Sequence, residues 1–350
     1  MLKKIALIAL LLVGFEIAGA QETDLVNWLT LEKAMELNKK EPRYLMIDVY
    51  TDWCGWCKHM SKTTFSNQQL ANYINTNFYP IKFNAEGFDT VQWNGKTYVN
   101  KGVGKQPTHD LAIEWLDGQM SYPSIVYFDL NNKKYVVPGY KDIKAQETIL
   151  YFFAERIHES SNFVNFEKYF KYTFSQAFKD DLAKIPAEHK FDTTGVVKWY
   201  TLAEALELNK KVPKKIFVDI YANWTITNKV MERTTYRHPE VADYLNTTFY
   251  PVRFDAQSTD SINFNGAMLN NPRQQHPFHL FTVNFAVTGD RIYFPTFVFI
   301  DEKNQAITKV QNYLSPKTMS SFLQFIGSEK YKTVPWETFV KEFISKIAEE

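Results

Sequence analysis

Apolar positions along the chain change their period several times, and each change marks an element. Leu31, Ala34, Met35 and Leu37 recur at helical spacing, and the run Lys39-Lys40-Glu41-Pro42 stops them. Tyr44 to Tyr50 is apolar on both faces apart from Asp48, the pattern of a buried strand. A helix is expected from Cys54 to about Tyr73, kinked near Ser66-Asn67, and then a strand from Phe78 to Phe83. Val91-Gln92-Trp93 and Lys96-Thr97-Tyr98-Val99 flank Asn94-Gly95, a strong two-residue hairpin signal. A short helix from His109 to Leu116 follows. Tyr122-Pro123 leads into a strand from Ser124 to Asp129, and a turn at Asn131-Asn132 precedes another near Tyr135 to Val137. Helices are expected from Thr148 to about His158 and from Phe163 to Leu182, the second with Phe166, Tyr169, Phe170 and Phe174 on one side.

The pattern then repeats. Trp28 to Lys40 matches Trp199 to Lys211, and Ile47-Asp48-Val49-Tyr50 matches Val218-Asp219-Ile220-Tyr221. Phe78-Tyr79-Pro80 returns as Phe249-Tyr250-Pro251, Asn94-Gly95 as Asn265-Gly266, and Tyr122-Pro123-Ser124 as Phe294-Pro295-Thr296. Even Phe166-Glu167 has a counterpart in Trp336-Glu337. So long a period means two whole domains, with the boundary in the polar stretch from Pro186 to Gly195. One difference stands out. Trp53-Cys54-Gly55-Trp56-Cys57-Lys58 becomes Trp224-Thr225-Ile226-Thr227-Asn228-Lys229, which keeps the flanking Trp and Lys and loses both sulfurs.

Composition narrows the setting. Lys3 and Lys4, the apolar run Ile5 to Phe15 and the small-residue site Ala18-Gly19-Ala20 read as a secretory signal peptide over residues 1–20, with mature protein from Gln21. Without those residues the formal charge falls from +1 to zero, which offers no electrostatic case for nucleic acid or acidic lipid. No later segment reads as a membrane span. The chain has two cysteines in all, Cys54 and Cys57. An exported chain of this size usually carries none or a framework of several, and so small a loop stabilises little.

Cysteines at i and i+3 on a helix share a face and lie close enough for a disulfide. Cys54 falls where the helix begins, and the unpaired amides and positive dipole end there favour a thiolate. Cys54 is therefore expected to attack, and Cys57, better shielded one turn in, to resolve the mixed disulfide. Gly55 leaves room for a substrate chain, while Trp56 brings no charge. Haem attachment requires His where Lys58 stands, and tetrahedral zinc requires two ligands beyond the pair. His59 and His109 read as solvated or satisfied side chains, and His276-Pro277-Phe278-His279 as a loop with two polar histidines. No metal and no bound cofactor is expected.

These residues carry a resemblance. The strand Ile47-Asp48-Val49-Tyr50, the Trp-Cys-x-x-Cys-Lys run and Tyr122-Pro123 before a strand make the chain similar to exported thioredoxin-like proteins of Gram-negative bacteria with Trp-Cys-Gly-Trp-Cys-Lys. The resemblance implies an α/β fold of two tandem thioredoxin-like domains. Each has a central mixed sheet flanked by helices and an added C-terminal helix. The expected division is a first domain over 21–160, a helical extension and linker over 161–195, a cysteine-free domain over 196–327 and a terminal helix over 328–350. It further implies that Asp48 is a buried acid taking the proton of Cys57, and that Pro123 is a cis-proline orienting substrate. Trp53, Gly55, Trp56 and Tyr122 would line the binding groove with it. The chain departs from the pattern in having Gly-Trp for the commoner Gly-Pro, and in the Asn94-Gly95 hairpin, which is expected to alter the groove wall. The second domain keeps Asp219 and Pro295 and is expected to be a docking or structural half whose aromatics extend a peptide-binding surface. The implied activity is thiol-disulfide exchange in the periplasm with protein substrates and an upstream redox partner. A reading of another class is a peptide-binding or chaperone-like module in which the cysteines are incidental.

Overall fold

The computed structural model describes residues 25–183, 192–272 and 277–347. The expected signal peptide, most of the expected boundary loop and His276 lie outside the described residues. The first half runs α1 (Leu31–Lys40), β1 (Tyr44–Tyr50), α2 (Gly55–Thr63), α3 (Gln68–Asn77), β2 (Phe78–Asn84), β3 (Val91–Trp93), β4 (Lys96–Tyr98), α4 (Asp110–Trp115), β5 (Ser124–Phe128), β6 (Lys134–Pro138), α5 (Ile143–Ala154), α6 (Phe163–Thr173) and α7 (Lys179–Leu182). Its sheet has the order β2-β1-β5-β6, with β1 parallel to β2 and antiparallel to β5.

The second half runs α8 (Leu202–Lys211), β7 (Lys215–Tyr221), α9 (Ile226–Arg233), α10 (Pro239–Thr248), β8 (Phe249–Asp255), β9 (Ile262–Phe264), β10 (Ala267–Leu269), α11 (Leu280–Ala286), β11 (Val287–Thr288), β12 (Arg291–Ile292), β13 (Thr296–Ile300), β14 (Ala306–Gln311), α12 (Pro316–Gly327) and α13 (Trp336–Glu342). Its sheet order, β8-β7-β13-β14, is the same arrangement.

Side-chain alternation divides each β-sheet between two apolar layers. Leu45, Ile47 and Val49 of β1 pack with Leu31, Ile81, Trp93, Tyr98 and Trp115 on one face. Tyr44 and Met46 point the other way, toward Met60 of α2, Ile74 of α3 and Phe153 of α5. Since successive strand residues alternate faces, Asp48 lies on the α2 side with Met46. The Asn94-Gly95 turn has φ of 48° and 77°, the left-handed pair that a two-residue hairpin requires. That hairpin packs through Trp93 and Tyr98 on the sheet face away from α2.

Helix boundaries differ from the periodicity in three places. The expected helix from Cys54 to Tyr73 is two helices, because Asn67 turns its side chain to the Leu70 amide at 3.0 Å and starts α3. The helix expected from Thr148 begins at Ile143, capped by Asp142, whose carboxylate accepts from the Ala145 amide at 2.8 Å. Its first turn is too polar to show an apolar period. The helix expected over Phe163 to Leu182 stops at Thr173, and Phe178 folds back to within 5.8 Å of Phe170.

The apolar layer on the α2 side continues from one domain into the other. Phe166 of α6 meets Tyr313 edge-on at 5.8 Å, and Arg233 of α9 donates to the Thr173 carbonyl at 3.2 Å. Residues expected to be an extension and linker thus include a helix, α6, that packs between the domains. No helix among the described residues is long and apolar enough to cross a membrane.

Candidate functional site

Strand β1 delivers the motif. After Tyr50 the chain turns through Thr51, whose carbonyl accepts from the Cys54 amide at 3.1 Å. Cys54 is the N-cap of α2, and its Sγ accepts from the Cys57 amide at 3.0 Å. The sulfur thus takes the place that a Ser or Asp oxygen takes at ordinary caps. Cys54 and Cys57 form a disulfide. In this disulfide form Cys54 is 4% and Cys57 6% exposed, so both residues are buried. A Cβ on Gly55 would meet nothing within 4 Å, so no internal contact demands glycine there.

Two aromatic groups flank the disulfide. Trp53, 56% exposed, donates its indole N–H to both carboxylate oxygens of Glu86 at 3.0 Å and stands edge-on to Tyr122 at 6.1 Å. This contact brings the Tyr122–Pro123 loop, whose peptide bond is cis, beside the motif. Burial, and next the Glu86 charge, raise the Tyr122 phenol above its ordinary value. On the other side Trp56, 61% exposed, packs at 5.4 Å on Tyr140 and 5.6 Å on His59, and Tyr140 lies 5.1 Å from His59. Both indoles stand exposed beside the cysteine pair, as two aromatic rims.

Asp48 of β1 is buried, 2% exposed. In the parallel register Asp48 faces Lys82 of β2, with Nζ to Oδ2 at 4.0 Å. Lys82 also donates to Ser61 Oγ at 3.2 Å. Ser61 lies four residues after Cys57, on the same face of α2. Lys82 therefore ties the acid to the helix face that carries the second sulfur, and it stacks over the Trp28 and Tyr50 rings at 5.2 and 5.4 Å.

Lys82, Glu86, Tyr140 and the Ser61 contact were not legible as site features from one motif. A signal for Lys82 did exist. It interrupts an apolar strand, and the repeat puts Arg253 at the same position opposite Asp219. In the second domain Arg253 Nε lies 3.2 Å from Asp219 Oδ2, and its Nη2 donates to Asn228, the counterpart of Cys57. A basic residue and an amide thus occupy the interior there.

The histidines have structural employment. His109 Nδ1 accepts from the Leu111 amide at 3.1 Å and its Nε2 lies 2.9 Å from the Asp89 carbonyl. His279 repeats this with Phe281 at 3.0 Å and Asp260 at 3.0 Å. Each ring caps the start of its helix. The described residues hold no cluster of three or more metal-ligating side chains.

The topology and the disulfide at a helix mouth define thioredoxin-like architecture. Residues 19–156 match a family model named Thioredox_DsbH and described as "Protein of unknown function, DUF255", and residues 198–301 match one described as "Thioredoxin-like". The chain is a tandem of two thioredoxin-like domains, the first with a Cys-x-x-Cys disulfide and the second without cysteine.

The chain is similar to the thiol:disulfide interchange protein DsbD of Photorhabdus laumondii, 29% identical over 108 residues, which are 31% of this chain and 15% of that protein. It thus spans well under a fifth of that relative's length. Among solved structures, "DsbH Oxidoreductase" aligns at 18% identity over 43% of this chain and 96% of its own, with a TM-score of 0.28. A putative disulphide-isomerase from Bacteroides thetaiotaomicron aligns at 21% identity over 35% of this chain and 88% of its own, with a TM-score of 0.26.

Proposed function

We propose that the first domain catalyses thiol-disulfide exchange on protein substrates, with Cys54 as the attacking sulfur. The carrying observation is the Cys54 Sγ at the mouth of α2, bonded to Cys57 and set between two exposed aromatic rims. In the reducing direction the Cys54 thiolate attacks one sulfur of a substrate disulfide. A Cys54–substrate bond forms, the substrate S–S bond breaks, and the other substrate sulfur leaves as thiolate. Cys57 gives its proton to Asp48 and attacks Cys54 Sγ. The mixed disulfide breaks, the second substrate thiolate departs, and the Cys54–Cys57 disulfide seen here is restored. Two electrons have passed to the substrate, and a dithiol redox partner returns them to the pair. The reverse sequence oxidises a substrate dithiol.

The helix amides and dipole favour the Cys54 thiolate. Lys82 keeps a positive charge near Asp48 and links it to the motif helix through Ser61. Trp53, Trp56, Tyr122 and Tyr140 offer apolar faces to an extended client, and Pro123 shapes the groove. The amino-terminal pattern supports export, and we place the exchange in the periplasm.

Reduction of a model protein disulfide by wild type and Cys54→Ser tests this reading. The variant should lose essentially all activity; equal rates would overturn the assignment. Replacing Cys57 by Ser should trap client proteins on Cys54 as mixed disulfides.

A further inference from the structure

The second domain has a motif helix of its own. Thr225 caps α9 as Cys54 caps α2, with its Oγ1 accepting from Asn228 N. A carboxylate from the first domain sits at that helix mouth. Glu155, at the end of α5 in the first domain, accepts from the Ile226 amide through Oε1 at 2.7 Å and from the Thr227 amide through Oε2 at 2.7 Å. These two N–H groups have no partner inside the helix, and they stand at the positive end of its dipole. By the repeat they correspond to the amides of Gly55 and Trp56, beside the reactive sulfur of the first domain.

The residues after Glu155 continue the contact. The Arg156 guanidinium lies 4.0 Å from the centre of the Tyr293 ring. Arg156 also holds Glu159 through bonds of 2.8 and 2.6 Å, and Glu159 accepts from the Asn312 amide side chain at 3.0 Å. Tyr293 precedes the cis Phe294–Pro295 bond. The Asn312 backbone amide donates to the Pro295 carbonyl, as that of Gly139 donates to Pro123. The segment from Glu155 to Glu159 thus touches the motif-helix mouth, the cis-proline loop and the turn after the last strand. Their counterparts in the first domain are the elements around the disulfide.

We propose that the second domain's groove, emptied of sulfur, is a carboxylate receptor whose ligand is Glu155, so that the first domain lies in it in the manner of a client. The groove then fixes how the two domains sit together. Loss of the thiols fits this use, since a thiolate at position 225 would repel the carboxylate. Burial raises the Glu155 carboxyl above its ordinary value while the two amides oppose the shift.

Glu155→Ala tests the proposal, with acetate as the probe and the Ile226 and Thr227 amide resonances as the readout. In the variant, exchange of these amides should accelerate at least about tenfold, the equivalent of a lost charge-assisted hydrogen bond. Added acetate should shift both resonances saturably and restore protection, and should do neither in wild type. Should the alanine variant not fold, Glu155→Gln serves, because its NH2 replaces one of the two carboxylate oxygens and cannot accept from the N–H it faces. One resonance should then lose protection while the other keeps it. Unchanged exchange at both amides in either variant, or acetate shifts equal to those of wild type, would overturn the proposal. Cys54-dependent exchange activity is not part of the readout, so failure of the receptor and failure of the catalytic reading remain separable.

Discussion

Lys82 and Asp48 face one another across the parallel pair β1 and β2, 4.0 Å apart, and the Lys82 ammonium also donates to Ser61 of the motif helix at 3.2 Å. Lys82→Met takes away the group that bridges Asp48 and the motif helix. Reduction of a protein disulfide by this variant should slow severalfold, while Lys82→Arg, which keeps a cation there, should retain most of the rate. Equal rates for Lys82→Met and wild type would show that the bridge plays no part in exchange.

Tyr140 supports Trp56 and His59 on one side of the disulfide. Tyr140→Ala should raise KM for a protein disulfide by about threefold to tenfold, the worth of one aromatic contact, with little change in kcat. A small aliphatic disulfide does not reach this rim, and its kinetics should stay as in wild type. Equal losses on both substrates would show that Tyr140 supports the fold rather than the client.

His158 is enclosed by Tyr44, Tyr135, Phe152 and Phe153, with its Nε2 3.9 Å from Asp129. Burial holds its imidazole below the ordinary value; Asp129 and Glu159 work against that shift and Arg156 with it. A proton therefore prefers the unfolded chain. Stability from the neutral ring is complete above the unfolded value of about 6.5 and is lost as pH falls below it, by about 1.4 kcal/mol per unit of depression. Thermal melts between pH 8 and 5 should show this slope in wild type, and His158→Phe should flatten it.

Gly195 lies at the entry to the second domain, where its amide donates to the Arg237 carbonyl at 2.8 Å. A Cβ there would fall 2.8 Å from that oxygen and 2.9 Å from the His238 carbonyl carbon, both backbone atoms. Gly195→Ala should therefore cost about 1–3 kcal/mol, as overpacking does, visible as a lower melting temperature. A neutral result would mean that the entry segment shifts freely.

Much of this protein is legible in one dimension. A strand buried on both faces, a helix with a regular apolar stripe and an Asn-Gly turn each announce themselves through residues within a few positions. So β1, α1 and the hairpin fall where periodicity puts them. The boundaries that moved did so where a side chain overrode the period: Asn67 capping α3, and Asp142 starting α5 through a polar first turn.

By itself the sequence determined that there are two copies of one unit, that a single copy carries a cysteine pair at the start of a helix, and that an acid precedes it on a strand. Those are properties of neighbours along the chain and of its self-similarity. Only the tertiary structure decided that Lys82 stands by Asp48, that Glu86 holds Trp53, and that Glu155 enters the mouth of a helix 71 residues away. Hydrophobic period records whether an element is buried. It does not record which distant polar group arrives at its end, because that depends on how complete elements pack against each other.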